Sequence, residues 1–227
     1  MKRLSLSRSR DSWPISELLD LAVQNHVSAQ TLAPEKLDTL CRNGLHQGVA
    51  LRAGPIPVQP ASRVISLVRQ QEKPAFILVL ESIEDPHNLG ALIRTALCCG
   101  VDFILIPKDR CAEPTATVSR CSAGAMEHAA LFTITNTAAI LRDLKKEGAW
   151  VYGLDAAGDK RLDQADLTGP VVLVVGGEHR GIRPGVKKEC DFLLAIPNQG
   201  AVTSLNASVA GGMAMYEALC QRVSEPK

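Results

Sequence analysis

The chain has 227 residues, of which 46% are hydrophobic and 22% are charged, proportions that are typical of a folded globular protein. This length accommodates one good-sized domain together with a smaller appendage. The longest apolar runs, such as residues 76–80, are far shorter than the roughly 20 residues that cross a bilayer, so no membrane partner is expected. The seven cysteines include no C-x-x-C pair, which indicates reduced, mostly buried thiols and no metal site.

The formal net charge is +1, and it is unevenly distributed along the chain. Residues 1–75 hold 10 Lys or Arg against 6 Asp or Glu. Such an excess fits an N-terminal element that contacts nucleic acid, and it fits solvated helix faces equally well. We interpret the basic, serine-rich first ten residues as a frayed arm of a cytoplasmic protein, although their weak transit-peptide character leaves organellar targeting as an alternative.

The segment before residue 70 is predicted to form short helices and turns. Apolar residues between Ile15 and Val23 recur at helical spacing, and a second helix begins with Leu37 and Leu40 after Pro34. The three prolines in residues 54–60 lack amide donors, so that stretch is expected to be a linker or a sheet edge. We therefore predict an N-terminal domain and linker over residues 1–70 and a second domain over residues 71–227.

After residue 74, short apolar runs alternate with helical patterns. The predicted strands are 76–80, 102–106, 131–134, 150–154, 171–175 and 192–196, and the clearest predicted helices are 89–99, 137–147 and 205–219. This alternation predicts an α/β fold with a mostly parallel sheet and helices on both faces. Because ligands bind beyond the carboxyl ends of such strands, the residues that follow each strand are the candidates for function.

The segment after the first of these strands contains Asn88 and Arg94. Asn88 is placed as the N-cap of the following helix, which would account for it without any further role. Arg94 lies about two turns into that helix among apolar residues. Since helices bury such faces, we expect its guanidinium to point into a cleft or an interface and to meet an anion.

The second candidate segment, residues 176–181, reads Gly-Gly-Glu-His-Arg-Gly and follows the buried run 171–175. Paired glycines there would let the backbone approach a flat ligand, and Glu178 would place a carboxylate at the ligand-binding edge of the sheet. A tight turn would explain the glycines but not the charged cluster. His179 needs no functional explanation on its own.

The third segment, residues 196–210, leads from a strand into the last helix and is dense in small polar residues, including Ser204, Asn206 and Ser208. Helix capping is the simpler explanation, while close packing against this helix is the alternative. The chain contains neither G-x-G-x-x-G nor G-x-x-x-x-G-K-[ST], so the usual phosphate-binding loops are absent. S-adenosylmethionine, which carries no phosphate, would fit that absence.

Taken together and in this order, the three segments resemble the sequence motifs of the SpoU (TrmH-type) RNA 2′-O-ribose methyltransferases of the SPOUT superfamily. The pattern N-x-G-x-x-x-R-T-A stands at residues 88–96, G-x-E-x-x-G at residues 176–181, and the third motif at residues 196–210. The resemblance covers about residues 75–222 and is nearest to the branch that methylates guanosine in large-subunit ribosomal RNA.

The resemblance implies methyl transfer from S-adenosyl-L-methionine to a ribose 2′-hydroxyl of RNA. It also implies a C-terminal trefoil knot whose loops bind the donor, and a homodimer in which both chains build the active sites. The residues that it assigns to cofactor binding are Leu154, Gly176, Ile196 and Leu205. Those that it assigns to catalysis are Asn88, Arg94, Glu178, Ser204 and Asn206.

Residues 37–49 resemble, more weakly, the end of the small RNA-binding domain that precedes the catalytic domain in the ribosomal RNA branch. Only about 50 residues precede the closing turn at 46–49, and the family's domain is longer, so the resemblance implies a short appendage whose completeness stays open. Three alternatives remain at this point: a tRNA 2′-O-methyltransferase, a non-catalytic RNA-binding protein on the same scaffold, and a small-molecule α/β enzyme.

A guanidinium holds its proton to a pH of about 12 or more, so Arg94 is not expected to deprotonate the ribose hydroxyl. We hypothesise that Arg94 grips the phosphate beside the target ribose. A phosphate oxygen or Glu178 would then accept the proton, while Asn88, Ser204 and Asn206 would orient the ribose and the donor.

Overall fold

The computed structural model describes residues 3–7, 15–42, 44, 46–178, 180–200 and 204–224. The chain divides into two compact units, Met1–Pro55 and Ile56–Lys227. The division precedes the boundary predicted near residue 70, because a short strand and a helix between residues 59 and 70 pack with the larger unit. Within the described residues, no helix has both the length and the apolar character that a bilayer crossing requires.

The first unit contains a three-stranded sheet and two helices among its described residues. In chain order these elements are β1 (Arg3–Ser7), α1 (Ile15–Gln24), β2 (Ser28–Leu32), α2 (Pro34–Leu40) and β3 (Val49–Arg52). The central strand β1 pairs in parallel with β2 and antiparallel with β3. Both predicted helices are therefore confirmed, whereas the sheet was not predicted.

Strand β1 shows that the interpretation of the first residues as a frayed arm is wrong for residues 3–7. Leu4 and Leu6 are buried there and pack with Ala22 of α1. Burial of these two leucines offsets the cost of ordering a segment that carries many serines and basic residues. The basic residues Lys2, Arg8 and Arg10 lie outside the described residues.

The second unit is a parallel α/β domain. Its strands are β4 (Gln59–Pro60), β5 (Phe76–Glu81), β6 (Phe103–Pro107), β7 (Leu131–Ile134), β8 (Trp150–Leu154), β9 (Lys160–Arg161), β10 (Val171–Gly176) and β11 (Phe192–Ala195). Its helices are α3 (Ser62–Gln70), α4 (Pro86–Cys98), α5 (Ala116–Cys121), α6 (Thr137–Lys146), α7 (Pro184–Lys187) and α8 (Ala207–Ser224). Each of the six strands and three helices predicted after residue 74 is present.

The eight strands form one sheet in the order β4-β7-β6-β5-β10-β8-β11-β9, and every pairing is parallel. Successive residues of β5 face opposite sides of this sheet: Leu78 packs in one apolar core and Ile77 in another. Helices α4 and α8 contribute to the first core, and α3 and α6 contribute to the second. Layers on both faces explain why the strands are continuous apolar runs, as predicted.

Strands β5 and β10 lie side by side at the centre of the sheet. Their register pairs Glu81 with Gly176, so the two chain segments that leave these strands emerge next to each other. The first and second candidate segments therefore meet at the carboxyl edge of the sheet, where a parallel fold places its ligands.

Candidate active site

The start of α4 differs from the sequence prediction. Its N-cap is Asp85, whose carboxylate accepts hydrogen bonds from the backbone amides of His87 and Asn88, each at 3.2 Å. Pro86 occupies the first helical position, which its fixed φ favours, and this places the cap one residue before it. Asn88 lies within the first turn and is not a cap, so its side chain is available for other contacts.

Three side chains, one from each candidate segment, meet at the carboxyl edge of the sheet. Asn88 Nδ2 donates a hydrogen bond to Glu178 Oε1 at 3.1 Å. Asn206 Nδ2 donates to Asn88 Oδ1 at 3.1 Å and also to Glu178 Oε1. We call these three residues the Asn–Glu–Asn cluster, and it joins α4, the loop after β10 and the start of α8.

Asn206 is also the residue that caps α8. Its Oδ1 accepts hydrogen bonds from the backbone amides of Ser208 at 2.9 Å and Val209 at 3.3 Å. The capping explanation is thus right for Oδ1 of Asn206. Its Nδ2 group instead binds Asn88 and Glu178. Because the cap fixes the direction of the side chain, Nδ2 is held toward Glu178.

A cavity of about 270 Å³ opens beside the cluster at the edge of the sheet. All four residues predicted to bind the cofactor line it, and so does Ser204: these are Leu154, Gly176, Ile196, Leu205 and Ser204. They lie at or just after the ends of three strands and in the segment before α8, so segments that are far apart in sequence form one cavity. We call it the first cavity.

Asp155 also lines the first cavity and was not predicted. It directly follows β8, and a carboxylate in that position of a parallel sheet was the signal that could have identified it. Burial disfavours its charge, but an ion pair with Lys187 and a hydrogen bond from the amide of Ala157 outweigh burial and lower the pKa of Asp155. The wall of the first cavity therefore contains an ionised carboxylate whose counter-charge is the ammonium of Lys187.

The glycine pair at the end of β10, Gly176 and Gly177, serves backbone packing. A Cβ on Gly177 would overlap the carbonyl oxygen of Ser82, and one on Gly176 would overlap the backbone of Gly181. Both glycines line the first cavity, but the close approach that requires them is made by other backbone atoms of this chain. That these glycines also let the backbone approach a flat ligand stays a prediction.

A second cavity of about 580 Å³ adjoins the first. The two share Gly177, Glu178 and Ala207 as lining residues, and Asn88 lines the second. The Asn–Glu–Asn cluster therefore lies at the boundary between two neighbouring cavities, with Glu178 facing both.

Arg94 does not join this cluster. Its side chain is exposed on α4 and makes no hydrogen bond or ion pair with any residue that the structure describes. Ser204 is exposed at the first cavity and likewise has no hydrogen-bond partner among the described residues. The catalytic roles assigned to both stay predictions. His179 and residues 201–203 lie outside the described part of the chain.

All seven cysteines are free, but the expectation that most are buried is wrong. Only Cys99 is buried, Cys98 is exposed, and the others are half-buried. Burial raises the pKa of Cys111 to about 12 and that of Cys190 to about 11, so these two thiols are protonated at neutral pH. Within the described residues, no group of three or more His, Cys, Asp or Glu could hold a metal ion.

A parallel sheet with adjoining cavities and a polar cluster at its carboxyl edge is the arrangement of an α/β protein with a ligand site at that edge. Residues 75–216 match the sequence model of the SpoU rRNA methylase family, and residues 1–59 match that of the RNA 2′-O ribose methyltransferase substrate-binding domain. The chain therefore belongs to the SpoU rRNA methylase family, and it is an RNA 2′-O-ribose methyltransferase. The resemblance inferred from the three motifs and from residues 37–49 is confirmed.

Two relatives illustrate the similarity. The 23S rRNA (guanosine-2′-O-)-methyltransferase RlmB of Pseudomonas putida is 38% identical over 98% of this chain and 89% of its own length. The enzyme of the same name from Coxiella burnetii is 36% identical over 97% of this chain and 88% of its own length.

Solved structures agree on the fold. The SpoU methyltransferase AviRb from Streptomyces viridochromogenes, solved in complex with AdoMet, is 22% identical and superimposes with a TM-score of 0.81 over 98% of this chain and 83% of its own. An AdoMet-bound rRNA methyltransferase from Sinorhizobium meliloti gives a TM-score of 0.79 at 22% identity, over 99% of this chain and 80% of its own.

Proposed function

We propose that this protein transfers the methyl group of S-adenosylmethionine to the ribose 2′-hydroxyl of a guanosine in 23S ribosomal RNA. The observation that carries the proposal is the position of the Asn–Glu–Asn cluster at the boundary of two adjoining cavities. A group-transfer enzyme needs a donor site and an acceptor site with catalytic groups between them. We take the identity of the RNA, 23S ribosomal RNA, and of the methylated nucleotide, guanosine, from the names of the relatives.

The first cavity suits the methyl donor. Leu154, Ile196 and Leu205 give it apolar walls that can pack against an adenine ring, and Asp155 adds a carboxylate that is paired with Lys187. The absence of a phosphate-binding loop fits a donor without phosphate. S-adenosylmethionine supplies an electrophilic methyl group on a sulfonium. Ser204, at the mouth of the same cavity, would orient the donor's polar end.

Glu178 is the proton acceptor in this proposal. Amide donors from Asn88 and Asn206 both bind its Oε1, while its Oε2 makes no hydrogen bond with any described residue. The two asparagines therefore hold the carboxylate in one orientation and leave Oε2 to accept the proton of the ribose hydroxyl. Methyl transfer is an in-line displacement, so alignment of hydroxyl and methyl across this boundary would contribute most of the rate acceleration.

Arg94 is proposed to hold the phosphate next to the target ribose. An exposed guanidinium without a partner among the described residues is suited to bind a phosphate through two parallel hydrogen bonds.

Arg94 lies on α4, which packs against α8. Helix α8 exposes Val209, Met213 and Tyr216 at helical spacing. We propose that this apolar stripe pairs two copies of the chain into a homodimer, as the family resemblance implies.

The N-terminal unit is proposed to capture the ribosomal RNA, supported by its match to the substrate-binding family. We also propose a cytoplasmic location, which a ribosomal RNA substrate supports. From the family resemblance alone, we propose that the segment from β10 to α8 threads a trefoil knot.

The experiment that tests the function is incubation of the protein and radiolabelled S-adenosylmethionine with total RNA from cells that lack it, followed by mapping of ribose methylation. We expect one new 2′-O-methylguanosine in 23S ribosomal RNA. Methylation of transfer RNA instead would support the alternative that the protein is a tRNA 2′-O-methyltransferase. Donor binding without label in any RNA would contradict the proposal and indicate a non-catalytic binding protein.

A further inference from the structure

The second cavity has an unusual lining for the place where a methyl group arrives. Carboxylates, an arginine, an asparagine and a serine line it together with apolar residues: its lining includes Glu84, Asp85, Glu178, Arg180, Ser82 and Pro86. A pocket of this kind holds its ligand against apolar groups and selects it with a few polar ones. The polar groups that are still free therefore indicate what the cavity accepts.

Among the three carboxylates, only one has both of its oxygens free of hydrogen bonds from described residues. Asp85 accepts the backbone amides of His87 and Asn88 at the start of α4. Glu178 holds the side-chain amides of the cluster on Oε1. Glu84 is exposed at the cavity and makes no hydrogen bond or ion pair with any described residue, so both of its oxygens can accept from a ligand.

Ser82 provides a second, independent observation. It lines the same cavity, is 7% exposed and has a positive φ of 59°, a backbone conformation that is strained for a residue other than glycine. Its buried hydroxyl has no hydrogen-bond partner among the described residues. A buried hydroxyl without a partner is costly, and a polar ligand in this cavity would satisfy it.

We propose that the second cavity receives the target nucleoside and that Glu84 selects guanine. This rests on the proposed function. The Watson–Crick edge of guanine carries two adjacent donors, N1–H and the N2 amino group, which match the two oxygens of a carboxylate. Adenine and cytosine place an acceptor beside their one donor group, and uracil flanks its donor with two acceptors, so none of them fits an acceptor-only group as well.

The rest of the lining serves the same ligand. Pro86, which is half-buried, offers apolar surface to the face of a base that has left its stack. Arg180 has no partner among the described residues and supplies positive charge for the nucleotide's phosphate. With the base held at Glu84, the ribose would lie toward Asn88 and Glu178, which separate this cavity from the methyl donor.

The test compares guanosine with inosine, which lacks the N2 amino group, at the methylated position of a short RNA taken from the mapped site. The wild-type enzyme should show a kcat/KM about 10-fold lower on the inosine RNA. Glu84→Gln should lower kcat/KM on the guanosine RNA about 10-fold and reduce the difference between the two RNAs to less than about 2-fold. Its Kd for S-adenosylmethionine should remain that of the wild type, because Glu84 does not line the first cavity.

The matched control is Glu72→Gln. Glu72 is also exposed and unpaired among the described residues, but it precedes β5 and so lies at the opposite edge of the sheet. This variant should keep wild-type kcat/KM on both RNAs.

Two results with the variant would overturn the assignment: wild-type kcat/KM in Glu84→Gln on the guanosine RNA, or undiminished discrimination against inosine by Glu84→Gln. A mapped target other than guanosine would also overturn it while leaving methyl transfer intact. If the wild-type enzyme methylates no RNA, the proposed function itself fails.

Discussion

At the residue scale, Asn206 links the stability of a helix to the chemistry of the site. Its Oδ1 caps α8, and its Nδ2 binds Glu178 and Asn88. A substitution that keeps the cap and removes only the amide donor can therefore separate the two roles.

Asn206→Asp is that substitution. A carboxylate still accepts the amides of Ser208 and Val209, so the melting temperature at pH 7 should change by only a few degrees. Toward Glu178, however, a donor becomes a like charge, and methyl transfer should fall by at least about 100-fold. Thermal denaturation and single-turnover methylation measure the two effects separately.

Asn136→Asp is the control, because Asn136 caps α6 through its Oδ1 in the same manner and lines neither cavity. It should preserve both stability and rate. Equal activity in the two variants would mean that the Nδ2 contacts of Asn206 have no catalytic role.

The thiols of Cys111 and Cys190 give a second residue-scale prediction. Burial raises their pKa values to about 12 and about 11, so the reactive thiolate is scarce until the pH approaches those values. Iodoacetamide at pH 8 should leave both unmodified in the folded protein and label all seven cysteines in urea. Peptide mass spectrometry reads the result, and rapid labelling of either thiol in the folded protein would show that its surroundings are open to solvent.

At the element scale, a buried charge ties together the segments that carry the site. Glu81 ends β5 and is fully buried. Its Oε2 accepts a hydrogen bond from Thr137 Oγ1 of α6 at 3.0 Å, and its Oε1 pairs with Arg183 at the start of α7. Since Arg183 ends the loop that begins at Gly177, the pair holds the segment that presents Glu178.

Removing the positive charge of Arg183 should destabilise the protein, because the buried Glu81 carboxylate would lose its partner. Arg183→Met leaves the Glu81 carboxylate without its counter-charge, and we expect a loss of about 3 kcal/mol in the free energy of unfolding, the lower end of the usual range because Arg183 is 38% exposed. Adding Glu81→Gln to that variant should restore part of the loss. Urea denaturation measures both.

The exposed pair Arg161–Asp163 provides the comparison. Arg161→Met should change the unfolding free energy by less than about 1 kcal/mol. A similar small effect for Arg183→Met would show that the buried pair does not stabilise the site.

Most of the second unit could be predicted because buried parallel strands are continuous apolar runs, and the six longer strands all follow this pattern. The two-residue strands β4 and β9 are too short to have a pattern. Strand β1 was missed because its two buried leucines alternate with serines inside a basic stretch. The many basic and serine residues favoured a frayed arm, although the alternation of leucine and serine is typical of a strand. Asp85 displaced Asn88 as the cap because Pro86 determines where α4 begins.

For the candidate site, the sequence predicted which segments meet but not which side chains bind one another. Residues that follow strands were expected to meet, and those lining the first cavity do. The partners within the Asn–Glu–Asn cluster could not be read from the sequence, since hydrogen bonds between segments about 90 residues apart depend on the register of β5 and β10. In the proposed homodimer, the surroundings of Arg94 would depend on a second chain, which no pattern in this sequence describes.

At the scale of the whole molecule, the exposed stripe on α8 is the surface through which we propose that two copies of the chain pair. Val209, Met213 and Tyr216 are 50%, 45% and 63% exposed and follow one another along one side of the helix. An apolar patch on a well-packed helix is typical of an interaction surface. We therefore expect the protein to be a dimer at micromolar concentration.

Met213→Glu places a charge in the middle of this stripe, and in a dimer it would place two like charges near each other. We expect the molar mass from light scattering to fall from that of two chains to that of one. Leu51→Glu, at a leucine of the first unit that is 59% exposed, is the control and should leave the mass unchanged. A dimer that survives Met213→Glu would place the interface elsewhere.

The most direct measurement compares donor binding with methyl transfer in Glu178→Gln, because Glu178 faces both cavities. Calorimetry should give a Kd for S-adenosylmethionine within about threefold of wild type, and single-turnover methylation of ribosomal RNA should slow by at least about 100-fold. Wild-type rates in this variant, or a loss of binding as large as the loss of rate, would contradict a proton-accepting role for the carboxylate between the two cavities.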